Sequence, residues 1–113
     1  MEYGICNLGI VPLRAEPSDK SELSSQILYG ECFKVLEKRK DWIRVRLADD
    51  DYEGWIDKKQ FLDISEEDYS GLVRENPSLV PDLIEFVSDT KKTLTPIFLG
   101  SNLNGLQLIG HEY

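Results

Sequence analysis

The chain has 113 residues, of which 21 are acidic and 13 basic, so its formal net charge is -8. This length allows one domain, or one very small domain and part of another, and it excludes a large enzyme core. The negative charge repels a phosphate backbone, and we therefore expect no nucleic-acid partner.

The residues that most often bind metals or act as nucleophiles are few. The chain contains two cysteines, Cys6 and Cys32, without C-x-x-C spacing, and one histidine, His111. This pattern predicts no zinc site, and we expect no metal and no cofactor. Each cysteine lies in a strand-like run, where a small buried apolar residue is the usual explanation. A disulfide between them stays open, because sequence separation does not fix distance.

The N-terminal sequence Met-Glu-Tyr-Gly has no basic segment, no long apolar segment and no small-residue cleavage site. No apolar run approaches the roughly 18 residues of a membrane span. We therefore expect a cytoplasmic protein with no membrane partner. A trimmed N-terminus would instead allow a place in the cell envelope.

Residues 1–64 have the pattern of short strands separated by turns. In the segment from Trp42 to Leu47, alternate residues are apolar, with Ile43, Val45 and Leu47 on one face. About five such runs recur at intervals of about ten residues, with no helical period among them. The pattern predicts a mainly β fold that begins with a small barrel.

Residues 65–92 are predicted to be a helical linker. Ser65 followed by three acidic residues is a helix-start signal, and Asn76-Pro77 ends the helical pattern. The piece from Leu79 to Val87 fits neither the helical nor the strand period, and its type stays open.

Residues 93–113 are predicted to be strands of an incomplete second β unit. Thr93 to Leu99 is rich in threonine and branched residues, and Pro96 confines that strand to an edge or a strand start. Asn104-Gly105 supplies a turn before the apolar run from Leu106 to Ile109.

Several short motifs of the first half occur in the order typical of one family. They are Val11-Pro12-Leu13-Arg14-Ala15-Glu16-Pro17-Ser18, Ser21, Gly30-Glu31, Val35, Trp42, Val45 and Gly54-Trp55-Ile56. Together they resemble the bacterial SH3-like (SH3b) domain, over about sixty residues. The resemblance implies an SH3-like barrel at 1–64.

The segment is most similar to the N-terminal barrel of NlpC-type cysteine peptidases, which cut peptidoglycan stem peptides. In several of these a second SH3-like module follows, so the resemblance implies that 93–113 begin such a unit. Their catalytic cysteine lies in an Asp-Cys-Ser-Gly-like helix start, whereas Cys6 precedes Asn7 and Cys32 precedes Phe33. We therefore expect a chain that is not itself an enzyme, from a parent that is a peptidase.

Candidate ligand-binding residues lie around the strand that ends at Arg14. Arg14 and Glu16 can point to the same side of this extended segment, and an ion pair between them is the simpler interpretation. An outward carboxylate can also bind a peptide's free ammonium group. In the resembling peptidases an acid and a tyrosine cap the substrate's N-terminal L-alanine, which the resemblance assigns to Glu16 and Tyr52.

Two tryptophans complete the predicted site. Trp55 is expected to be at least partly in the core, with a groove-lining role as the alternative, and Trp42 fits a groove or the barrel end equally well. The acidic run Asp49-Asp50-Asp51 is expected to be a solvated hairpin tip.

The sequence thus predicts a non-catalytic module that recognises peptidoglycan stem peptides or muropeptides beside a peptidase catalytic domain. Three alternatives stay open: an adaptor for proline-rich peptides, an interdomain spacer, and a stand-alone enzyme with a cysteine nucleophile. The oligomeric state is also open, because an unfinished second unit would leave an edge strand exposed.

Overall fold

A computed structural model describes residues 2–113, and Met1 at the start of the predicted barrel lies outside the described residues. Seven strands form one antiparallel sheet with the order β3-β2-β6-β5-β4-β1-β7. Their bounds are β1 (Glu2–Ile5), β2 (Ile10–Arg14), β3 (Leu23–Leu28), β4 (Cys32–Lys38), β5 (Trp42–Leu47), β6 (Glu53–Asp57) and β7 (Leu62–Ile64). The prediction of a mainly β fold is confirmed.

Buried and partly exposed residues alternate along β5, and this pattern fits its register with β4 and β6. Ile43, Val45 and Leu47 are buried, while the residues between them are partly exposed. Ile43 lies opposite Ile56 of β6, and Val45 lies opposite Val35 of β4. Because side chains alternate between faces along a strand, this register turns one face of each strand inward.

The inward side chains of five strands meet in one core, so the sheet is curled around it. The buried members of this core are Cys6, Val11, Leu13, Ile27, Phe33, Val35, Ile43, Val45, Leu47 and Ile56. Phe61 packs edge-on against Phe33 with ring centroids 5.5 Å apart. This core fixes the barrel on whose outer face the candidate site lies.

Helix α1 (Glu66–Arg74) follows the barrel, as the helix-start signal predicts. The Ser65 hydroxyl accepts a hydrogen bond from the Asp68 backbone N–H at 3.0 Å. Tyr69 is the buried residue of the helix, and its ring lies 4.5 Å from that of Tyr3. The helix is therefore packed against β1.

The remaining chain forms a second, smaller β unit. Strands β8 (Ile84–Ser88) and β9 (Leu94–Phe98) make an antiparallel hairpin, followed by a 3-10 turn (Leu103–Gly105) and helix α2 (Leu106–Ile109). The edge position predicted for Pro96 is confirmed, because within residues 2–113 strand β9 pairs only with β8. Neither helix of residues 2–113 is long and apolar enough to cross a membrane.

Two details of the predicted second half are wrong. The linker assigned to 65–92 contains strand β8, and the segment 93–113, predicted as strands, ends in a helix at 106–109. The hairpin forms because Val87 and Ile97 become buried against Tyr29 of the barrel, a contact that local periodicity does not reveal. That the second unit is SH3-like stays a prediction.

The turn between β3 and β4 carries the contact between the two units. The Asn102 backbone N–H donates to the Tyr29 carbonyl at 2.8 Å, and Val80 packs on the Tyr29 ring. The hydroxyl of Tyr29 lies 2.7 Å from His111 Nδ1. The second unit is thus held against one side of the barrel.

Candidate functional site

The outer face of the barrel carries a row of four residues across four neighbouring strands. Arg14 of β2 lies opposite Trp55 of β6, Trp55 lies opposite Arg44 of β5, and Arg44 lies opposite Glu37 of β4. The alternation that buries Ile43 and Val45 places this row on the outside. Two of the five predicted site residues, Arg14 and Trp55, are therefore neighbours.

Ion pairs connect the charged side chains of this outer face. Arg44 binds Glu53 at 2.8 Å and Glu37 at 3.4 Å, while Arg39 binds Glu37 at 3.0 Å and Arg46 binds Glu53 at 2.8 Å. The hydrogen bond from Arg39 lowers the pKa of Glu37, and the hydrogen bond from Arg46 lowers the pKa of Glu53. All these groups are partly exposed, so each pair is worth little alone.

Trp55 is buried, but not in the barrel core. Its side chain lies on the outer face and is only 7% exposed, and the Arg39 guanidinium lies 4.8 Å from its ring centroid. Such a cation over an indole is attracted by the ring's negative face. Trp42 lies on the same outer face, opposite Asp57, and keeps part of its ring exposed. Trp42 is thus the more accessible of the two tryptophans.

The prediction of an ion pair between Arg14 and Glu16 is wrong. The Arg14 guanidinium donates to the Ser21 carbonyl at 3.1 Å, and the Glu16 backbone N–H donates to the Ser21 hydroxyl at 2.9 Å. Ser21 closes the loop between β2 and β3 and draws Arg14 away from the acid. Within residues 2–113 the exposed Glu16 carboxylate has no hydrogen-bond or ion-pair partner.

Tyr52 lies just before β6 and is 41% exposed. Its hydroxyl donates to the Ser24 carbonyl at 3.3 Å, and its backbone N–H donates to the Asp50 carboxylate at 3.1 Å. Because β2 and β6 are antiparallel, residues after Arg14 lie at the same barrel end as residues before Trp55. Glu16 and Tyr52 therefore share that end, although no hydrogen bond joins them in the described chain.

A cavity of about 250 Å³ lies where the barrel, α1 and the second unit meet. It is lined by Gly30, Glu31, Cys32, Ala48, Asp49, Leu72, Val73, Glu75, Pro77, Leu79, Gly100, Asn102 and Asn104. Sequence reasoning missed it, because its walls come from four segments that only the tertiary fold brings together.

Glu31 is the most enclosed carboxyl group of this cavity. Its Oε1 accepts a hydrogen bond from the Leu28 backbone N–H at 2.6 Å. Burial raises the pKa of Glu31, and the nearby carboxylates of Asp49 and Asp50 raise it further. Asp49 lines the cavity, and Asp50 accepts a hydrogen bond from the Tyr52 backbone N–H. All three aspartates are exposed, as predicted for a solvated hairpin tip.

Both cysteines are free and buried, as their strand-like surroundings predict. Burial raises the pKa of each thiol, Cys6 and Cys32, to about 12. A thiol is nucleophilic only as the thiolate, and burial therefore disfavours reaction of either cysteine near neutral pH. His111, the base that a cysteine enzyme would need, is hydrogen-bonded through Nδ1 to the Tyr29 hydroxyl. No cluster of metal-binding side chains occurs in the part of the chain described here.

The fold defines a small SH3-like β-barrel with an attached second β unit. Residues 13–61 match the family model of the bacterial dipeptidyl-peptidase SH3 domain. The resemblance of the barrel to the bacterial SH3-like domain is thereby confirmed.

A solved structure shares this architecture. The crystal structure of an NlpC/P60 family protein from Bacillus cereus superposes with a TM-score of 0.70 at 15% sequence identity. The match covers 88% of this chain and 46% of that chain, so this chain spans less than half the length of that relative. At this identity the likeness shows the fold alone. No curated protein matches the sequence.

Proposed function

We propose that this chain is a non-catalytic recognition module that binds the free N-terminus of a peptidoglycan stem peptide or muropeptide. The observation that carries the proposal is the exposed Glu16 carboxylate, which has no partner among residues 2–113 and shares a barrel end with Tyr52. The family match at 13–61, a bacterial peptidase SH3 domain, supports this class of ligand.

The chemistry of the site suits an ammonium group. An ionised carboxylate accepts a charge-assisted hydrogen bond from an ammonium group, and such bonds are about twice as strong as neutral ones. The Glu16 backbone N–H is already bonded to Ser21, which orders the loop that presents the carboxylate. Tyr52 supplies an aromatic surface whose hydroxyl is fixed on Ser24. A small N-terminal residue such as alanine would lie between the two side chains.

The catalytic partner would be a peptidase domain in the same or another chain. The NlpC/P60 relative is more than twice as long as the part that this chain matches, which agrees with a module beside further domains. We propose that the module acts in the cytoplasm, on imported wall peptides, or in the cell envelope if the N-terminus is trimmed. A proline-rich adaptor role is the competing function, and the same titration tests it.

The test is a two-dimensional NMR titration of the labelled chain with an L-Ala-γ-D-Glu-diamino acid tripeptide. We expect resonance shifts at Glu16, Tyr52 and their neighbours. Glu16→Gln removes the charge but little volume and should weaken binding about tenfold or more, because hydrogen bonds to charged groups contribute roughly 1.5–3 kcal/mol. Asp19→Asn, an exposed acid of the same loop, is the matched control and should bind normally.

Two further ligands separate the competing functions. The N-acetylated tripeptide lacks the α-ammonium group of its alanine and should bind no better to the wild type than the free tripeptide binds to Glu16→Gln. A proline-rich peptide should leave the spectrum unchanged. Shifts with that peptide but not with the tripeptide would replace the proposed function with the adaptor function, and no shifts with either would leave a spacer.

A further inference from the structure

Arg14 differs from the other arginines on the outer face of the barrel because no carboxylate pairs with it among residues 2–113. The arginines of this face that do form ion pairs with a glutamate are Arg39, Arg44 and Arg46. The Arg14 guanidinium instead donates from Nη1 to the Ser21 carbonyl at 3.1 Å. A guanidinium has five N–H donors in a planar fork that matches a carboxylate, and the bond to Ser21 uses one of them.

Ser21 holds the positive and the negative group of this strand end apart. Its carbonyl accepts from Arg14 Nη1, and its hydroxyl accepts from the Glu16 backbone N–H at 2.9 Å. Arg14 and Glu16 are two residues apart, so their Cα atoms lie at most about 7 Å from each other. Neither has an ion-pair partner in the described chain. Two opposite charges at this spacing suit a ligand that carries both charges itself.

The neighbours of Arg14 on the adjoining strands are apolar. Trp55 of β6 lies opposite Arg14 on one side, and Leu23 of β3 lies opposite it on the other. Neither side chain neutralises the guanidinium. Less polar surroundings also strengthen the attraction between a guanidinium and a bound carboxylate, because they screen the charges less than water does.

The ligand of the proposed function carries both charges near its N-terminus. In L-Ala-γ-D-Glu the ammonium nitrogen and the free α-carboxylate carbon of the glutamate are separated by five covalent bonds, or roughly 5–6 Å. The γ-linkage leaves this carboxylate free, because an α-linked glutamate uses its α-carboxyl group in the next peptide bond. The carboxylate of an α-linked glutamate is two bonds farther from the ammonium group.

We propose that Arg14 binds the free α-carboxylate of the second ligand residue, while Glu16 binds the ammonium group of the first. This inference rests on the proposed function and narrows its ligand to peptides with a γ-linked glutamate, or an equivalent free carboxylate, at the second position. The net charge of -8 repels carboxylates, and a guanidinium at the point of contact offsets that repulsion. A two-pronged contact between guanidinium and carboxylate also fixes the orientation of the peptide.

The first test compares three ligands on the wild-type chain in the same NMR titration. They are the L-Ala-γ-D-Glu-diamino acid tripeptide, its glutamate α-carboxamide, and the α-linked isomer, which has the same composition and charge as the first. We expect the carboxamide and the isomer to bind about tenfold more weakly or worse, because neither presents a carboxylate to Arg14. Equal affinity for the tripeptide and its carboxamide overturns the role of Arg14 and leaves the ammonium site at Glu16. Binding of none of the three overturns both proposals.

The second test removes the guanidinium. Arg14→Gln should bind the tripeptide about tenfold more weakly than wild type and should bind the carboxamide as wild type does. Arg44→Gln, which changes an arginine already paired with Glu53, is the matched control and should retain the preference for the free carboxylate. A disturbed loop would weaken both ligands, and the ligand comparison on the wild type then decides. An Arg14→Gln variant that still prefers the free carboxylate overturns the proposal.

Discussion

The contact between Gly30 and Asn102 predicts the effect of one added methyl group. Gly30 has a φ of +83°, and a Cβ built there overlaps the Asn102 carbonyl oxygen, which is backbone and cannot rotate away. Alanine in the left-handed region costs about 1 kcal/mol. Displacing Asn102 also breaks its 2.8 Å bond to the Tyr29 carbonyl, and an unpaired buried carbonyl costs about 1–3 kcal/mol.

Gly30→Ala should therefore lower the free energy of unfolding by about 3 kcal/mol and the melting temperature by roughly 12 °C. Gly110→Ala is the matched control, because Gly110 has a φ of +89° and no atom within 4 Å of the added Cβ. It should cost about 1 kcal/mol, or roughly 4 °C. Thermal and urea unfolding of both variants provide the comparison. Equal losses in the two would refute a steric contact between the barrel turn and the second unit.

Three further predictions concern other parts of the structure. Cys6 and Cys32 should resist a thiol reagent at pH 7.5 and react together only in denaturant, because burial raises their pKa to about 12; rapid labelling of the native chain would contradict this. The raised pKa of Glu31 means that its contribution to stability is present at low pH and lost as pH rises through the native pKa. Glu31→Gln should consequently have a higher melting temperature than wild type at pH 7 and the same one at pH 3, and a lower melting temperature at pH 7 would argue against the assigned cause. Ser65→Ala removes the acceptor for the Asp68 N–H and should cost about 1 kcal/mol in urea unfolding, whereas an unchanged midpoint would show that the cap is not formed.

The first half of the fold was predictable because its signals are local. Alternation from Trp42 to Leu47 marks a strand with one buried face, and Ser65 with its acidic followers marks a helix start. Each of these signals acts over a few residues, within which backbone sterics and solvent exposure decide the conformation.

The second half was less predictable because its short elements depend on distant partners. Ile84–Ser88 becomes a strand because Val87 packs on Tyr29, more than fifty residues away. The apolar pattern of Leu106–Ile109 is compatible with either a strand or a helix. The segment folds as a helix where Leu106 and Ile109 pack against the barrel and the hairpin. Propensity is weak in segments this short, so packing decides.

The same division holds for the candidate site. The sequence by itself determined that Arg14 and Glu16 lie at one strand end, because strand alternation and the turn at Pro17 place them there. Only the tertiary structure decided that Arg14 binds Ser21 rather than Glu16, and that Arg39 covers Trp55. Ion pairs and hydrogen bonds depend on ångström distances between segments, and these distances are set by how the core closes the sheet.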